Sequence, residues 1–163
     1  MQKTILAALI LLTSTTIAHA QAKLPSFTLP DPQGGMHSSA TLVKNGLVVI
    51  VTSPILHDKG AQEGWSKVLV ATRGSNPASI ILIEDMTASA FKGIAASHMK
   101  KAWRPGTLPI LLEDKSGKVH AAFGIGKDTT KVFAYNKSGA LVYSTAGAPS
   151  AAAAKTVWSK LAN

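Results

Sequence analysis

Few side chains in this 163-residue sequence are of types that carry out chemistry, and the most reactive type is missing. The sequence contains no cysteine, so neither thiol catalysis nor a disulfide bond is available to it. Two adjacent polar pairs remain as candidates for acid–base or metal chemistry. His57 and Asp58 come shortly after one apolar run, and Glu84 and Asp85 come directly after another.

The first pair, His57 and Asp58, could bind a metal weakly or act as an acid–base group near the start of a helix. An exposed loop pair without catalytic function is the simpler interpretation of the same two residues. The other histidines of the chain beyond residue 20 stand alone, with no second histidine at helical or strand spacing. Because zinc and copper sites need several convergent ligands, the sequence predicts no metal and no other cofactor.

The second pair, Glu84 and Asp85, follows a predicted strand at the carboxyl end, where α/β sheets place their functional groups. Paired carboxylates at that position could transfer protons. More often such residues help to cap the next helix, and Thr87 is a good N-cap for a helix over 88–102. We therefore expect a capping function, and an enzyme that uses either polar pair remains the alternative.

Apolar runs alternate with helical patterns along the chain, and this alternation predicts the fold. Continuous apolar runs, typical of strands buried on both faces, occupy 47–51, 79–83 and 108–112. Apolar residues at helical spacing occupy 61–72, 88–102 and 151–161. A closing hairpin is predicted from strands at 131–136 and 140–145. This order predicts an α/β fold, a three-layer sandwich with a parallel core and an antiparallel edge.

The N-terminus has the three parts of a secretory signal peptide. Lys3 provides a basic start, 5–12 form an apolar run, and a small-residue cleavage motif ends at Ala20. The apolar run is too short to span a bilayer stably. We expect export to the periplasm or the medium, with 1–20 removed as a signal peptide, 21–163 forming one domain, and no stable membrane span left.

The basic charge of the chain restricts the kinds of partner it can have. Lysine and arginine outnumber the acids and give a net charge of +9, of which one unit would leave with Lys3. Such a surface favours anionic partners. The lysines are scattered and do not alternate with aromatic residues, so the sequence predicts no nucleic-acid binding. Contact with an anionic surface and a protein partner in the cell envelope both stay open.

Four stretches carry motifs that occur together, in the same order, in one group of proteins. Residues 27–34 resemble an opening F-x-L-x-D-x-x-G segment, and 46–51 resemble a first core strand. Residues 108–125 resemble the segment L-L-x-D-x-x-G-x-V, and 132–147 resemble the hairpin segment T-F-V-I-D-x-x-G. The chain thus resembles the thioredoxin-like proteins, in particular peroxiredoxins of the alkyl-hydroperoxide-reductase type. The resemblance implies a thioredoxin-like fold with a mixed central sheet and a C-terminal helix.

The reactive group of that family is missing from this chain. Peroxiredoxins carry their cysteine in a P-x-x-x-T-x-x-C loop, and here Pro54 matches the proline while Asp58 and Ala61 stand at the threonine and cysteine positions. Thioredoxins have a cis-proline three residues before a strand phenylalanine, and Thr130 stands at that place. The resemblance implies a cysteine-less member in which thiol-dependent redox activity is absent.

These observations lead to a functional expectation with one alternative. We expect an exported, non-redox binding or accessory protein of the cell envelope, whose binding residues are Pro54, His57, Asp58, Ala61 and Thr130. The alternative is an enzyme of another class, with or without a metal, that uses one of the two polar pairs described above.

Overall fold

The computed structural model describes residues 22–52, 59–87, 97, 99–101, 103–125 and 129–162. The described helices are α1 (Ser39–Leu42), α2 (Lys59–Thr72), α3 (Lys118–Ala122) and α4 (Ala151–Ala162). Two short strands, β1 (Thr28–Pro30) and β2 (Met36–Ser38), form an antiparallel pair. The strands of the main sheet are β3 (Leu47–Thr52), β4 (Ser79–Asp85), β5 (Ile110–Asp114), β6 (Thr130–Tyr135) and β7 (Leu141–Ala146). Of the described helices, none has the length and hydrophobicity needed to cross a membrane.

The main sheet has the strand order β5–β4–β3–β6–β7. The pairs β3–β4 and β4–β5 are parallel, whereas β6 pairs antiparallel with both β3 and β7. The carboxyl ends of β3, β4 and β5 therefore lie beside the amino end of β6, and we call this the site end of the sheet. The opposite end, where β3 begins and the β6–β7 turn lies, is called the turn end.

Apolar side chains cover both faces of the sheet and so produce three layers. On one face, α2 and α4 pack Trp65, Leu69 and Trp158 against the strands. On the other face, the N-terminal segment and the residues after α3 contribute Phe27 and Phe123, among others. Every residue of β3 is buried, because a central strand is covered on both sides. The structure thus confirms the predicted α/β sandwich with a mixed sheet.

Some element boundaries differ from those predicted from the sequence. The third core strand starts at Ile110 rather than at residue 108, and pairing with β4 extends it through Asp114. The peptide bond between Leu108 and Pro109 is cis and precedes this strand. The short strand β2 was not predicted, since three residues are too few to show an alternating pattern, whereas a short strand expected at 27–29 overlaps β1. Most of the predicted helix at 88–102 lies outside the described residues.

Tyr135 is fully buried in β6, and its hydroxyl has no hydrogen-bond partner among the residues that the structure describes. Burial also raises the pKa of this hydroxyl. An unsatisfied buried hydroxyl costs about 1–3 kcal/mol. Tyr135→Phe removes the oxygen and keeps the ring stacked on Phe133, so we expect the free energy of unfolding to rise by about 1 kcal/mol.

Urea unfolding followed by circular dichroism measures the effect of Tyr135→Phe. The half-buried Tyr143 provides the control, and Tyr143→Phe should change the stability by less than about 0.5 kcal/mol. A Tyr135→Phe protein less stable than the parent would show that the buried hydroxyl does have a partner.

Candidate functional site

An open depression of about 520 Å³ lies at the site end of the sheet. Its walls come from the start of α2 (Gly60 and Ala61), the start of β6 (Thr129 and Thr130) and the segment 147–149. These segments meet because α2 follows β3, while β6 lies beside β3 and β7 beside β6. Small side chains line most of the depression, which leaves the backbone of its walls within reach of a bound molecule.

Two of the five predicted binding residues, Ala61 and Thr130, lie together in this depression. Pro54, His57 and Asp58 lie outside the described residues, so their placement stays a prediction. The sequence did not predict the third wall, 147–149, since its glycine, alanine and proline carry no group that signals chemistry.

Thr130 forms the base of the depression next to the end of β3. It is 4% exposed and its hydroxyl oxygen lies 3.3 Å from that of Thr52, its cross-strand neighbour. Thr52 is the last residue of β3, so Thr130 lies beside the point where the chain leaves the sheet toward the predicted binding loop. Pro109, which follows a cis peptide bond, precedes β5. Because β4 and β3 separate β5 from β6, Pro109 does not occupy the position beside β3 where Thr130 lies.

His120 also fixes the end of β3. Its Nε2 lies 2.6 Å from the carbonyl oxygen of Thr52, which accepts a hydrogen bond from the ring. The backbone N–H of His120 donates to the carboxylate of Asp114 at 2.8 Å. Asp114 is fully buried and also accepts from the N–H and the hydroxyl of Ser116. The turn after β5 therefore holds a histidine against the residue that leads into the predicted binding loop.

The sequence treats His120 as an isolated histidine, and its position at the end of β3 was missed. Its ring partner is a backbone carbonyl 68 residues away, which no side-chain pattern reveals. The Asp-x-Ser-Gly turn was the only signal in the sequence, because an aspartate side chain in such a turn accepts hydrogen bonds from backbone N–H groups that follow it.

Contacts with α2 hold the segment 147–149 in place. The indole N–H of Trp65 donates to the carbonyl oxygen of Gly147 at 3.0 Å. Gly64 lies so close to Pro149 that a Cβ added there would come within 2.5 Å of the proline ring. This wall of the depression therefore depends on a position in α2 that has no room for a side chain.

The carboxylates at the end of β4 do not act as a pair. Asp85 accepts from the N–H of Thr87 at 2.8 Å and from its hydroxyl at 2.6 Å, which closes a local turn after β4. Glu84 instead accepts from the side chain of Gln62 at 2.7 Å and so connects β4 to α2. The partner of Asp85 lies in the adjacent turn, and one partner of Glu84 lies in α2. The start of the helix expected at 88–102 lies outside the described residues, so the capping function stays a prediction.

His37 pairs with an acid away from the depression, in the β1–β2 hairpin. Its Nε2 lies 2.8 Å from a carboxylate oxygen of Asp31. Burial acts to raise the pKa of Asp31, but hydrogen bonds from His37 and from the N–H groups of Gln33 and Gly35, together with the charge of His37, lower that pKa on balance. In the described part of the chain, no group of three or more histidine or acidic side chains is placed to hold a metal ion.

The arrangement of a mixed five-stranded sheet between two layers of helices and loops, with a depression at the start of the helix after the central strand, defines a thioredoxin-like fold. Comparison of the sequence with protein-family models and with curated proteins gives no match. Solved structures do match over most of the chain. Because the sequence identities are low, these matches establish the fold alone.

Three of these structures show the range of the similarity. Peroxidoxin BcpB from Mycobacterium tuberculosis is 20% identical with a TM-score of 0.60, over 86% of this chain and 94% of that one. The exposed lipoprotein thioredoxin Etrx1 from Streptococcus pneumoniae is 15% identical with a TM-score of 0.60, over 83% and 99%. StoA from Bacillus subtilis is 12% identical with a TM-score of 0.62, over 84% and 98%. The chain shares the fold of thioredoxin-like and peroxiredoxin-like proteins and has no cysteine.

Proposed function

We propose that this chain is an exported, non-redox binding protein of the cell envelope that recognises its partner through the depression at the site end. The observation that carries this proposal is the depression itself, which three separate segments build at the start of α2 in a chain without cysteine. Disulfide exchange requires a thiolate as nucleophile. The scaffold can therefore bind at this position, but it cannot pass electrons through sulfur.

A protein segment suits the chemistry of the depression. The walls consist of glycine, alanine and proline with two threonines, and they contain no charged side chain among the described lining residues. Small side chains allow a partner's backbone to approach closely, whereas a highly charged ligand would lose hydration without gaining an ion pair. The predicted binding residues His57 and Asp58 precede α2 in the sequence, and we expect them to supply polar contacts to the partner.

Export is the second part of the proposal. It is supported by the signal-peptide features of the first 20 residues and by the likeness to Etrx1, which is named as an exposed lipoprotein. Expression of the full chain in a bacterial host, followed by mass spectrometry of the periplasmic fraction, tests it. A mature N-terminus at Gln21 supports export, and an intact chain in the cytoplasm contradicts it.

A pull-down with a filled depression tests the binding function. Residues 21–163 contain all described elements and can be immobilised and exposed to an envelope extract. Ala148→Trp places an indole in the depression, and we expect recovery of the partner to fall at least tenfold, or about 1.4 kcal/mol. Replacement of His57 and Asp58 by alanine should also weaken recovery.

A matched control uses the exposed Ala40 of α1, which is remote from the lining of the depression. Ala40→Trp adds the same apolar surface and should recover the partner as the parent protein does. Equal recovery by the parent and Ala148→Trp proteins would place binding elsewhere. A stoichiometric metal in the purified protein would favour the enzyme alternative instead.

A further inference from the structure

Exposed lysines gather at the turn end of the sheet, opposite the depression. Lys44 lies three residues before β3 begins, Lys137 follows β6, and Lys160 lies in the last turn of α4. Lys23 joins this group because it forms an antiparallel bridge with Ala140 beside the β6–β7 turn. We call Lys23, Lys44, Lys137 and Lys160 the basic end.

A second depression, of about 380 Å³, shows that these segments lie together. It is lined by Asn45 and Gly46 before β3, by 136–138 after β6 and by 161–162 at the end of α4. Lys137 lines this depression, and Lys44 and Lys160 directly precede lining residues. Together with Lys23, bridged to Ala140, the four lysines come from segments that meet at one end of the fold. This surface is formed by turns and by the ends of helices and strands, so one large partner can contact all of them at once.

Among the described residues, no acid forms an ion pair that offsets the positive charge of the basic end. All of its lysines are exposed, and none forms an ion pair with any described residue. The described acids lie elsewhere: at the site end of β4 and β5, in α2 beside Lys67, or in the β1–β2 hairpin beside His37. The carbonyl end of α4 adds partial negative charge, which Lys160 in the same turn counteracts.

Residues 22–24 also lie at this end of the fold, bonded to the β6–β7 segment. The N–H of Leu141 donates to the carbonyl of Ala22 at 3.0 Å, and the N–H of Leu24 donates to the carbonyl of Gly139 at 2.8 Å. In the sequence, the apolar run 5–12 precedes Ala22. If the chain is exported as proposed, the basic end is the part of the fold that directly follows the signal peptide until the signal is cleaved.

We infer that the basic end docks the protein on an anionic phospholipid surface. Lysines from four segments form a broad array, which suits a sheet of phosphate groups better than a single small anion. Near an anionic membrane each lysine strengthens binding by about fivefold, so several weak contacts add up to reversible attachment. The site end lies about 20 Å away along β3, so the docked protein presents its partner-binding depression away from the lipid.

Vesicle sedimentation tests the docking surface without reference to the partner. Residues 21–163 are mixed with vesicles of phosphatidylcholine containing 30% phosphatidylglycerol, or with phosphatidylcholine alone, at about 0.05 M and about 0.5 M salt. We expect binding to the anionic vesicles at low salt only. The double variant Lys137→Gln/Lys160→Gln should bind about 25-fold more weakly.

The control variant Lys67→Gln/Lys118→Gln removes the same charge from exposed positions outside the basic end. It should bind within about twofold of the parent protein. Equal weakening by the two variants would show a general effect of net charge and would overturn the assignment. No binding to anionic vesicles, or tighter lysine-dependent binding to a soluble polyanion such as heparin, would overturn it as well.

Labelling tests the orientation independently, since a chain without cysteine accepts a single engineered thiol cleanly. Asn45→Cys places a fluorophore at the basic end, and Ala148→Cys places it at the site end. With lipid-borne quenchers in the anionic vesicles, the label at position 45 should be quenched and the label at 148 should not. Equal quenching of both labels, or quenching at 148 alone, would contradict the proposed orientation. Ala148→Trp should lose partner binding and still bind the anionic vesicles. This result would separate partner binding at the depression from lipid docking at the basic end.

Discussion

Replacement of Asp114 by alanine is expected to lower the free energy of unfolding by about 3 kcal/mol. The Asp114 carboxylate is fully buried and accepts from the N–H of His120 at 2.8 Å and from the hydroxyl and N–H of Ser116 at 2.9 and 3.2 Å. Alanine removes these charge-assisted bonds and leaves the buried N–H of His120 without its acceptor. Each hydrogen bond to a charged group contributes about 1.5–3 kcal/mol, so the combined loss is large for a single substitution.

Two variants separate the buried carboxylate from the turn around it. Asp114→Asn keeps one acceptor oxygen and should lose less stability than alanine, whereas Ser116→Ala removes one exposed donor and should cost less than about 1 kcal/mol. Urea unfolding monitored by circular dichroism ranks the three proteins. If Asp114→Ala costs no more than Ser116→Ala, the carboxylate does not organise the turn that carries His120.

The central part of the fold could be predicted because its sequence pattern is typical of one kind of element, a buried strand. The run Leu47–Val51 is continuously apolar and mostly β-branched, which fits a strand covered on both faces and little else. Its order relative to the helical segments then predicts the parallel core. The N-terminal hairpin had no such pattern, because its strands are three residues long and are held by turn bonds around Asp31.

The candidate site could be predicted only where it coincides with a family motif. Ala61 and Thr130 stand at positions where the resembling proteins carry cysteine and proline, so their residue types alone would not have indicated a site. The segment 147–149 reaches the depression through the antiparallel pairing of β7 and through Trp65, which are properties of the folded chain. His120 was missed for the same reason, since its partner is a backbone carbonyl.

The two ends of the sheet carry different kinds of side chain. The site end carries most of the described acids, the depression and the buried contacts of Thr52, whereas the turn end carries unpaired lysines. In the proposed arrangement, charge holds the protein at one end and the depression binds the partner at the other. Mutations at one end should therefore leave the function of the other unchanged, since distant sites act additively.

Gly64→Ala and Gly60→Ala make the same change in the same helix, and we expect them to have opposite effects. A Cβ at Gly64 would meet the ring of Pro149 at 2.5 Å, and a proline ring fixed in the chain cannot move aside as a flexible side chain does. We expect a loss of about 1–2 kcal/mol, since overpacking of this kind outweighs the helix propensity that alanine adds.

A Cβ at Gly60 meets no atom of the described residues within 4 Å, so alanine there should raise the stability by up to about 1 kcal/mol through helix propensity. Urea unfolding of the two variants against the parent gives the sign of each effect. Because Pro149 belongs to a wall of the depression, Gly64→Ala should also weaken partner recovery in the pull-down, as the segment 147–149 must shift to admit the new methyl group. Equal stabilisation by both substitutions would mean that Pro149 does not press against α2, and that this wall of the depression is not held as the structure shows.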